Sequence, residues 1–122
     1  MNVFLVEDSE AIRLLLAARV RHQPGLNLAG EADTEERAYA MIMATRPDVV
    51  ITDLSLAVEG SGSRLITALR ASGYTGFIAV LSGQDAAIYR APCLKLGADA
   101  FYDKAFGVET LFEDLAATLA AA

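Results

Sequence analysis

The sequence predicts an α/β domain with a five-stranded parallel sheet, doubly wound so that five helices cover its two faces. Short apolar runs alternate five times with segments whose apolar residues recur at helical spacing. The strand-like runs are apolar without interruption, which is typical of strands buried on both faces of a parallel sheet. The 122 residues are 54% hydrophobic, enough for one real core, and no linker or repeat divides them. We therefore expect one domain over residues 1–122.

The first two strand–helix units occupy the N-terminal third of the chain. Val3–Val6 is an apolar strand, and residues 26–32 form a weaker second strand. The helix between them has one apolar face: Ile12, Leu15, Leu16 and Val20. Asp33 with Glu36 three residues later reads as a capping box, with Asp33 as the N-cap of the second helix, which Pro47 ends.

Three further strands follow the same plan. Val49–Ile51 continues to Asp53, Phe77–Leu81 is followed by Ser82, and Ala100–Tyr102 leads to Lys104. Two more helices show their apolar faces between and after these strands: Leu65, Ile66 and Leu69, then Val108, Leu111, Phe112, Leu115 and Leu119.

The fourth helix carries a proline. Residues 84–96 have a helical pattern, but Pro92 in a helix interior would remove a hydrogen bond at a cost of about 3 kcal/mol. We therefore predict a short helix that begins near Ala91, with Pro92 in its first turn and residues 84–90 irregular. Gly97 is its C-terminal stop.

Charge and composition exclude several classes of function and structure. The net charge is −6 and the isoelectric point about 4.6, so no basic stripe exists to bind nucleic acid or an anionic membrane. Cys93 is the single cysteine and cannot form an internal disulfide. Apolar runs are too short for a membrane span, and the first residues lack a basic leader, so we expect a cytoplasmic protein.

Polar residues follow four of the five strands. Glu7 and Asp8 follow the first strand, Asp53 ends the third, Ser82 follows the fourth and Lys104 the fifth. In an open parallel sheet the carboxyl ends of the strands carry the functional site, so we expect these side chains to converge. Taken singly, each is also what an ordinary solvated loop would contain.

Three carboxylates gathered at one rim require compensation. At about 5 Å each pair repels by roughly 3 kcal/mol at an effective dielectric near 20, so the cluster needs a cation or a raised pKa. All-oxygen ligands suit Mg²⁺ or Mn²⁺ rather than zinc. Lys104 offsets part of the charge and is placed to hold an incoming anion.

The sequence resembles the receiver domains of two-component response regulators. The resemblance covers the whole chain and is carried by VFLVEDS, PDVVITDLSL, the LSG step and GADAFYDKAF. It implies a flavodoxin-like strand order of 2-1-3-4-5. It also implies that Asp53 accepts a phosphoryl group, in a Mg²⁺-dependent reaction, from a sensor histidine kinase or a phosphotransfer protein. Such a domain catalyses its own phosphorylation and dephosphorylation and is not a classical enzyme.

The resemblance also assigns roles to the surrounding residues. Asp8 and Asp53 would bind the metal directly, Glu7 through water, and the Ser55 carbonyl would be a further ligand. Ser82 and Lys104 would contact the phosphoryl oxygens.

Switching and output follow from the same family. Ser82 and the aromatic Phe101 would form the switch, and the absence of a hydroxyl on Phe101 favours its inward position even without phosphorylation. Output would pass to an unidentified protein through the fourth helix, fifth strand and fifth helix, with the domain a monomer or a weak dimer through that face.

The sequence departs from the family in two loops, which keeps alternatives open. Ala105 stands where the family has proline after the lysine, and Ala57 where it has proline after the phosphoacceptor. The chain is then either an active receiver, a pseudo-receiver that only binds proteins, or the N-terminal receiver of a longer transcriptional regulator. An aspartyl-phosphate phosphatase would need an acid at position 55, where this chain has Ser55. A flavodoxin-like cofactor binder would need a hydroxyl- and glycine-rich phosphate loop after the first strand, where Glu7 and Asp8 would repel a phosphate.

Overall fold

Strands and helices alternate strictly along the chain in the computed structural model, which describes residues 1–54 and 62–121. The elements are β1 (Asn2–Val6), α1 (Glu10–His22), β2 (Asn27–Ala32), α2 (Glu35–Thr45), β3 (Val49–Asp53), α3 (Gly62–Ala71), β4 (Phe77–Ser82), α4 (Ala86–Leu96), β5 (Ala100–Asp103) and α5 (Val108–Ala121).

The five strands form one parallel sheet in the order β2-β1-β3-β4-β5. This confirms the predicted α/β architecture and strand order. The order reverses between β1 and β3, and the helices that follow these two strands, α1 and α3, pack on opposite faces of the sheet.

The sheet is buried on both faces because successive residues of each strand enter different cores. Phe4 and Val6 contribute to one core, with α2, α3 and α4. Val3 and Leu5 contribute to the other, with α1 and α5. This two-sided burial explains why the strands read as continuous apolar runs rather than alternating ones.

The N-cap of α2 and the buried face of α1 differ in detail from the prediction. Thr34, not Asp33, is the N-cap of α2, and its hydroxyl accepts a hydrogen bond from the Arg37 N–H. Asp33 instead forms an ion pair with the Arg37 side chain. On α1, Leu15 is 64% exposed and Ala17 is buried in its place. The N-cap thus lies one residue later than predicted and the buried position two residues later, because neighbouring residues fit the capping and helical patterns equally well.

The prediction for the fourth helix is wrong. α4 runs from Ala86 to Leu96 with Pro92 in its interior, and Asp85 caps it by accepting a hydrogen bond from the Ala87 N–H at 2.9 Å. Pro92 lies on the exposed side, as does Ile88, whose carbonyl would have been the partner of the missing N–H. Water can solvate that carbonyl, so the proline does not force an early break.

The last strand separates two aromatic residues onto opposite faces. Phe101 is buried in the core beneath α2, α3 and α4, in the inward position that the sequence predicts. Tyr102 enters the other core, and its hydroxyl donates to Asp114 Oδ2 at 2.6 Å. No described residue forms a cis peptide bond, so Ala105 follows Lys104 through a trans bond. None of the helices in the described ranges has both the length and the hydrophobicity that a bilayer crossing requires.

Candidate functional site

Three acidic side chains converge at the carboxyl edge of the sheet, as predicted. Val6 of β1 pairs with Thr52 of β3, so Glu7 and Asp53 leave adjacent strands at the same level. Carboxylate oxygens of Glu7, Asp8 and Asp53 all lie within 4.8 Å of one another. Glu7 and Asp53 are only 2% and 7% exposed, whereas Asp8 is half-buried and opens to solvent. The cluster therefore combines two buried carboxylates with a third that is partly accessible to solvent.

Lys104 enters this pocket from β5. Its ammonium nitrogen lies 2.7 Å from Glu7 Oε1 and 3.0 Å from Asp53 Oδ2. The backbone of Lys104 is held by its N–H, which donates to the Ser82 carbonyl at 2.8 Å. Because β4 lies between β5 and β3, the lysine side chain crosses the end of β4 to contact the acids at the ends of β1 and β3.

The electrostatics of the pocket follow from burial. Burial raises the pKa of Glu7 above its usual value, and the nearby Asp8 and Asp53 carboxyls add to this, against the opposing effects of Lys104 and the Ser9 N–H. For Lys104, burial alone would lower the pKa, but the contacts with Glu7 and Asp53 outweigh it and raise the pKa. One ammonium facing three carboxyl groups leaves the pocket attractive to a further cation.

Every hydrogen-bonding group of Glu7 has a partner. Its N–H donates to the Ala32 carbonyl at 3.0 Å, and its Oε2 accepts from the Ser9 N–H at 3.0 Å. Arg13 donates from Nη1 to the Glu7 carbonyl at 2.8 Å and pairs with Glu31 at 3.6 Å. From the sequence, Arg13 belongs with Arg19 and Arg21 to a basic streak on the first helix, either a solvated face or a docking surface, and its contact with Glu7 was not predicted.

Ser82 is fully buried at the end of β4, and Asp53 pairs with its neighbour Leu81 in the sheet register. The Ser82 hydroxyl oxygen accepts a hydrogen bond from the Gln84 N–H at 2.9 Å. Phe101 lies in the adjacent strand, where its partner is Val80. Ser55, the remaining candidate ligand, lies outside the described residues, as does Ala57.

The donor set fits a hard divalent cation. Carboxylate oxygens are the ligands that Mg²⁺ and Mn²⁺ prefer, and the described part of the pocket contains neither the thiolate nor the imidazole ligands typical of zinc sites. Asp8 is the half-buried member of the set, so solvent reaches its carboxylate. A buried carboxylate beside an ammonium and two further carboxylates is suited to chemistry in which charge neutralisation and positioning matter, as in phosphoryl transfer.

Comparisons with known proteins match the chain to one family. The model of the response regulator receiver domain family matches residues 3–116. The chain is 34% identical over 110 residues to the KDP operon transcriptional regulatory protein KdpE of Escherichia coli (strain K12), covering 90% of this chain and 47% of the relative. It is 29% identical over 110 residues to a protein-glutamate methylesterase/protein-glutamine glutaminase of Treponema pallidum (strain Nichols), covering 88% of this chain and 27% of the relative. The chain therefore spans less than half the length of these two relatives.

A solved structure gives the same fold. The two-component response regulator of the LuxR family from Aurantimonas sp. SI85-9A1 superposes with a TM-score of 0.89 at 22% identity, covering 98% of this chain and 85% of that chain. At this level of identity the likeness concerns the fold alone.

Proposed function

The chain belongs to the response regulator receiver family, and from this premise we propose that Asp53 accepts a phosphoryl group from a sensor histidine kinase or a phosphotransfer protein. The observation that carries the proposal is the position of the Asp53 carboxylate. It is almost fully buried at the end of β3, 3.0 Å from the Lys104 ammonium and beside two further acids. An isolated aspartate in a solvated loop would have neither the cation nor the second and third carboxylates.

In the proposed reaction an Asp53 carboxylate oxygen attacks the phosphorus atom. The new bond is an acyl phosphate P–O bond, and the bond that breaks is the P–N bond of a phosphohistidine, whose imidazole leaves with the electron pair. The transition state is loose, so the surroundings act by positioning and charge neutralisation. Lys104, 3.0 Å from Asp53 Oδ2, and Ser82, at the end of the strand next to β3, would contact the phosphoryl oxygens. Hydrolysis of the acyl phosphate at the same site returns the resting state.

The acidic cluster would hold Mg²⁺ or Mn²⁺ through Asp8 and Asp53, with Glu7 acting through water and the Ser55 carbonyl as a further ligand. When bound, the ion supplies positive charge against the phosphoryl oxygens.

Output is proposed to pass through α4, β5 and α5 to another protein, with the domain a monomer or a weak dimer. α4 supports this because it exposes apolar side chains that a soluble surface does not require: Ile88, Tyr89, Leu94 and Leu96. The net charge of −6 disfavours direct contact with nucleic acid. We place this signalling in the cytoplasm by analogy with the family.

The decisive experiment is mass spectrometry of the intact protein after incubation with acetyl phosphate and Mg²⁺. We expect one added phosphoryl group in the wild type and in Asp48→Asn, a control that removes an exposed carboxylate at the opposite edge of the sheet. Asp53→Asn should remain unmodified. An undiminished signal in Asp53→Asn would move the acceptor elsewhere, and a wild type that stays unmodified would favour a pseudo-receiver.

A further inference from the structure

The carboxylate of Asp103 organises the connection between β5 and α5. Asp103 Oδ1 accepts hydrogen bonds from the N–H groups of Ala105 and Phe106, at 2.8 and 2.9 Å. The Asp103 carbonyl accepts a third bond from the Gly107 N–H at 2.7 Å. One residue thus binds three successive backbone donors of the loop that begins with Lys104.

The loop closes tightly on Asp103. A Cβ atom at Gly107 would lie 2.7 Å from the Asp103 nitrogen and 2.8 Å from its carbonyl oxygen, closer than real Cβ contacts allow. Glycine is therefore needed at this position for the chain to approach the Asp103 backbone so closely.

This arrangement depends on the residue after the lysine. Proline has no N–H, whereas Ala105 supplies the donor for the 2.8 Å bond to Asp103. A proline ring would restrict the backbone at this position. With alanine there, the Asp103 carboxylate restricts the backbone instead, by accepting hydrogen bonds from it.

The backbone of Lys104 is consequently held on both sides. Its own N–H donates to the Ser82 carbonyl at 2.8 Å, and the next two N–H groups donate to Asp103. From this backbone the side chain extends to Glu7 and Asp53. A lysine has four rotatable side-chain bonds, so a loose backbone would spread its ammonium over a volume much larger than the pocket.

We infer that Asp103 is a positioning residue for Lys104, which acts through the loop and does not itself touch the phosphoryl group. The inference rests on the proposed phosphoryl transfer to Asp53. It predicts that Asp103 affects the rate of transfer and not the affinity for Mg²⁺, because the proposed metal ligands belong to other loops.

The test compares Asp103→Ala, Asp103→Asn and the control Asp48→Ala, which removes another exposed carboxylate that accepts a backbone N–H, at the opposite edge of the sheet. We expect the rate of phosphorylation by acetyl phosphate at saturating Mg²⁺ to fall about tenfold in Asp103→Ala, the effect of losing the two side-chain hydrogen bonds that order the loop. Asp103→Asn keeps the Oδ1 acceptor and should stay within about twofold of the wild type. Asp48→Ala should match the wild type, and the Mg²⁺ midpoint, read from thermal unfolding, should be unchanged in all three.

Two results would overturn the inference. One is an Asp103→Ala rate equal to that of Asp48→Ala. The other is a loss in Asp103→Asn as large as in Asp103→Ala, which would make the effect one of charge. Ala105→Pro sharpens the test, since it removes one donor of the same arrangement. The proline ring also restricts this backbone, so the lost bond should matter less where Asp103 is already absent: Ala105→Pro should change the rate less in Asp103→Ala than in the wild-type background, and equal changes in both backgrounds would contradict the coupling.

A readout without phosphorylation separates this inference from the proposed function. The side-chain ¹⁵N resonance of Lys104 should be visible in the wild type, because its ion pairs slow hydrogen exchange, and should persist in Asp103→Asn but broaden in Asp103→Ala. If no variant accepts a phosphoryl group, the proposed function fails while this resonance still decides the positioning role. An unchanged resonance in Asp103→Ala would overturn it.

Discussion

The ammonium of Lys104 lies nearer to Glu7, at 2.7 Å, than to Asp53, at 3.0 Å. Glu7 is 2% exposed, so this contact neutralises the more deeply buried of the two acids. The lysine therefore supports the resting pocket through Glu7 while remaining within reach of the proposed phosphoacceptor.

Lys104→Met should destabilise the metal-free protein, because it leaves the buried Glu7 carboxylate without its cation. We expect a loss of about 2 kcal/mol in the free energy of unfolding, below the range for fully buried pairs since Lys104 is partly exposed. Glu7→Gln in the same background should recover most of the loss, as urea unfolding of the double-mutant cycle would show. Lys95→Met, which removes the exposed lysine of α4, is the control. Additive losses would mean that the 2.7 Å contact contributes no coupling.

Mg²⁺ should stabilise the fold, because it relieves repulsion among carboxylates whose oxygens lie within 4.8 Å and binds only the native state. At a hundred times its dissociation constant the gain is about 2.7 kcal/mol, measurable as a rise in the unfolding temperature. Asp53→Asn should itself raise the unfolding temperature of the metal-free protein and reduce the response to Mg²⁺, whereas Asp48→Asn should keep the full response. An unchanged wild-type transition in millimolar Mg²⁺ would show that the pocket is not a metal site.

Tyr74 should make the protein sensitive to alkaline pH. Its hydroxyl is buried and donates to the Pro47 carbonyl at 2.7 Å, and burial raises its pKa to about 12 from a usual 10.0. The unfolded chain loses the phenolic proton first, so this contribution to stability is complete below pH 10 and disappears as the pH rises toward 12. We expect a loss on the order of 2 kcal/mol across that window.

The comparison for this effect is Tyr74→Phe, which has no phenolic proton. Its free energy of unfolding should start lower, since the Pro47 carbonyl loses its partner, and should then fall less steeply between pH 10 and 12. The exposed Tyr89→Phe on α4 controls for the loss of a hydroxyl elsewhere. Parallel curves for the wild type and Tyr74→Phe would assign the alkaline sensitivity to other groups, Lys104 among them.

Phe101 and Phe106 offer a matched pair of aromatic truncations five residues apart. Phe101 is 9% exposed and belongs to the core, whereas Phe106 is 88% exposed. Phe101→Ala should lower the free energy of unfolding by about 3 kcal/mol through cavity formation, and Phe106→Ala by less than about 0.5 kcal/mol. Similar midpoints for the two variants in urea would place Phe101 outside the core and remove the basis for its inward position.

Much of this architecture was predictable because the strands carry a strong signal. Val3–Val6 and Phe77–Leu81 are apolar at every position, a pattern that only burial on both faces of a sheet requires. Once the strands are known to be parallel, the meeting of Glu7, Asp8 and Asp53 follows from the geometry of the sheet.

The remaining details depend on geometry that the pattern leaves open. Leu14, Leu15 and Leu16 are consecutive, so helical periodicity could not decide which of them faces the core. Asp33 and Thr34 are both good caps, and the backbone at Thr34 settles the choice. The local rule for proline failed at Pro92, because the rule takes no account of whether the carbonyl that loses its partner is solvated.

The shallow seating of α4 has a consequence for the hierarchy of unfolding. Of its eleven residues, all within the described range, Cys93 is the only buried one. Pro92 also removes one rung from its hydrogen-bond ladder. A helix with so little buried surface should detach at a lower free energy than that of global unfolding. The amide hydrogens of α4 should therefore exchange with solvent through sub-global openings, whereas those of β1 and β3 should exchange only through global unfolding. The helix proposed to face the output partner is thus one that the domain can rearrange while giving up little buried surface.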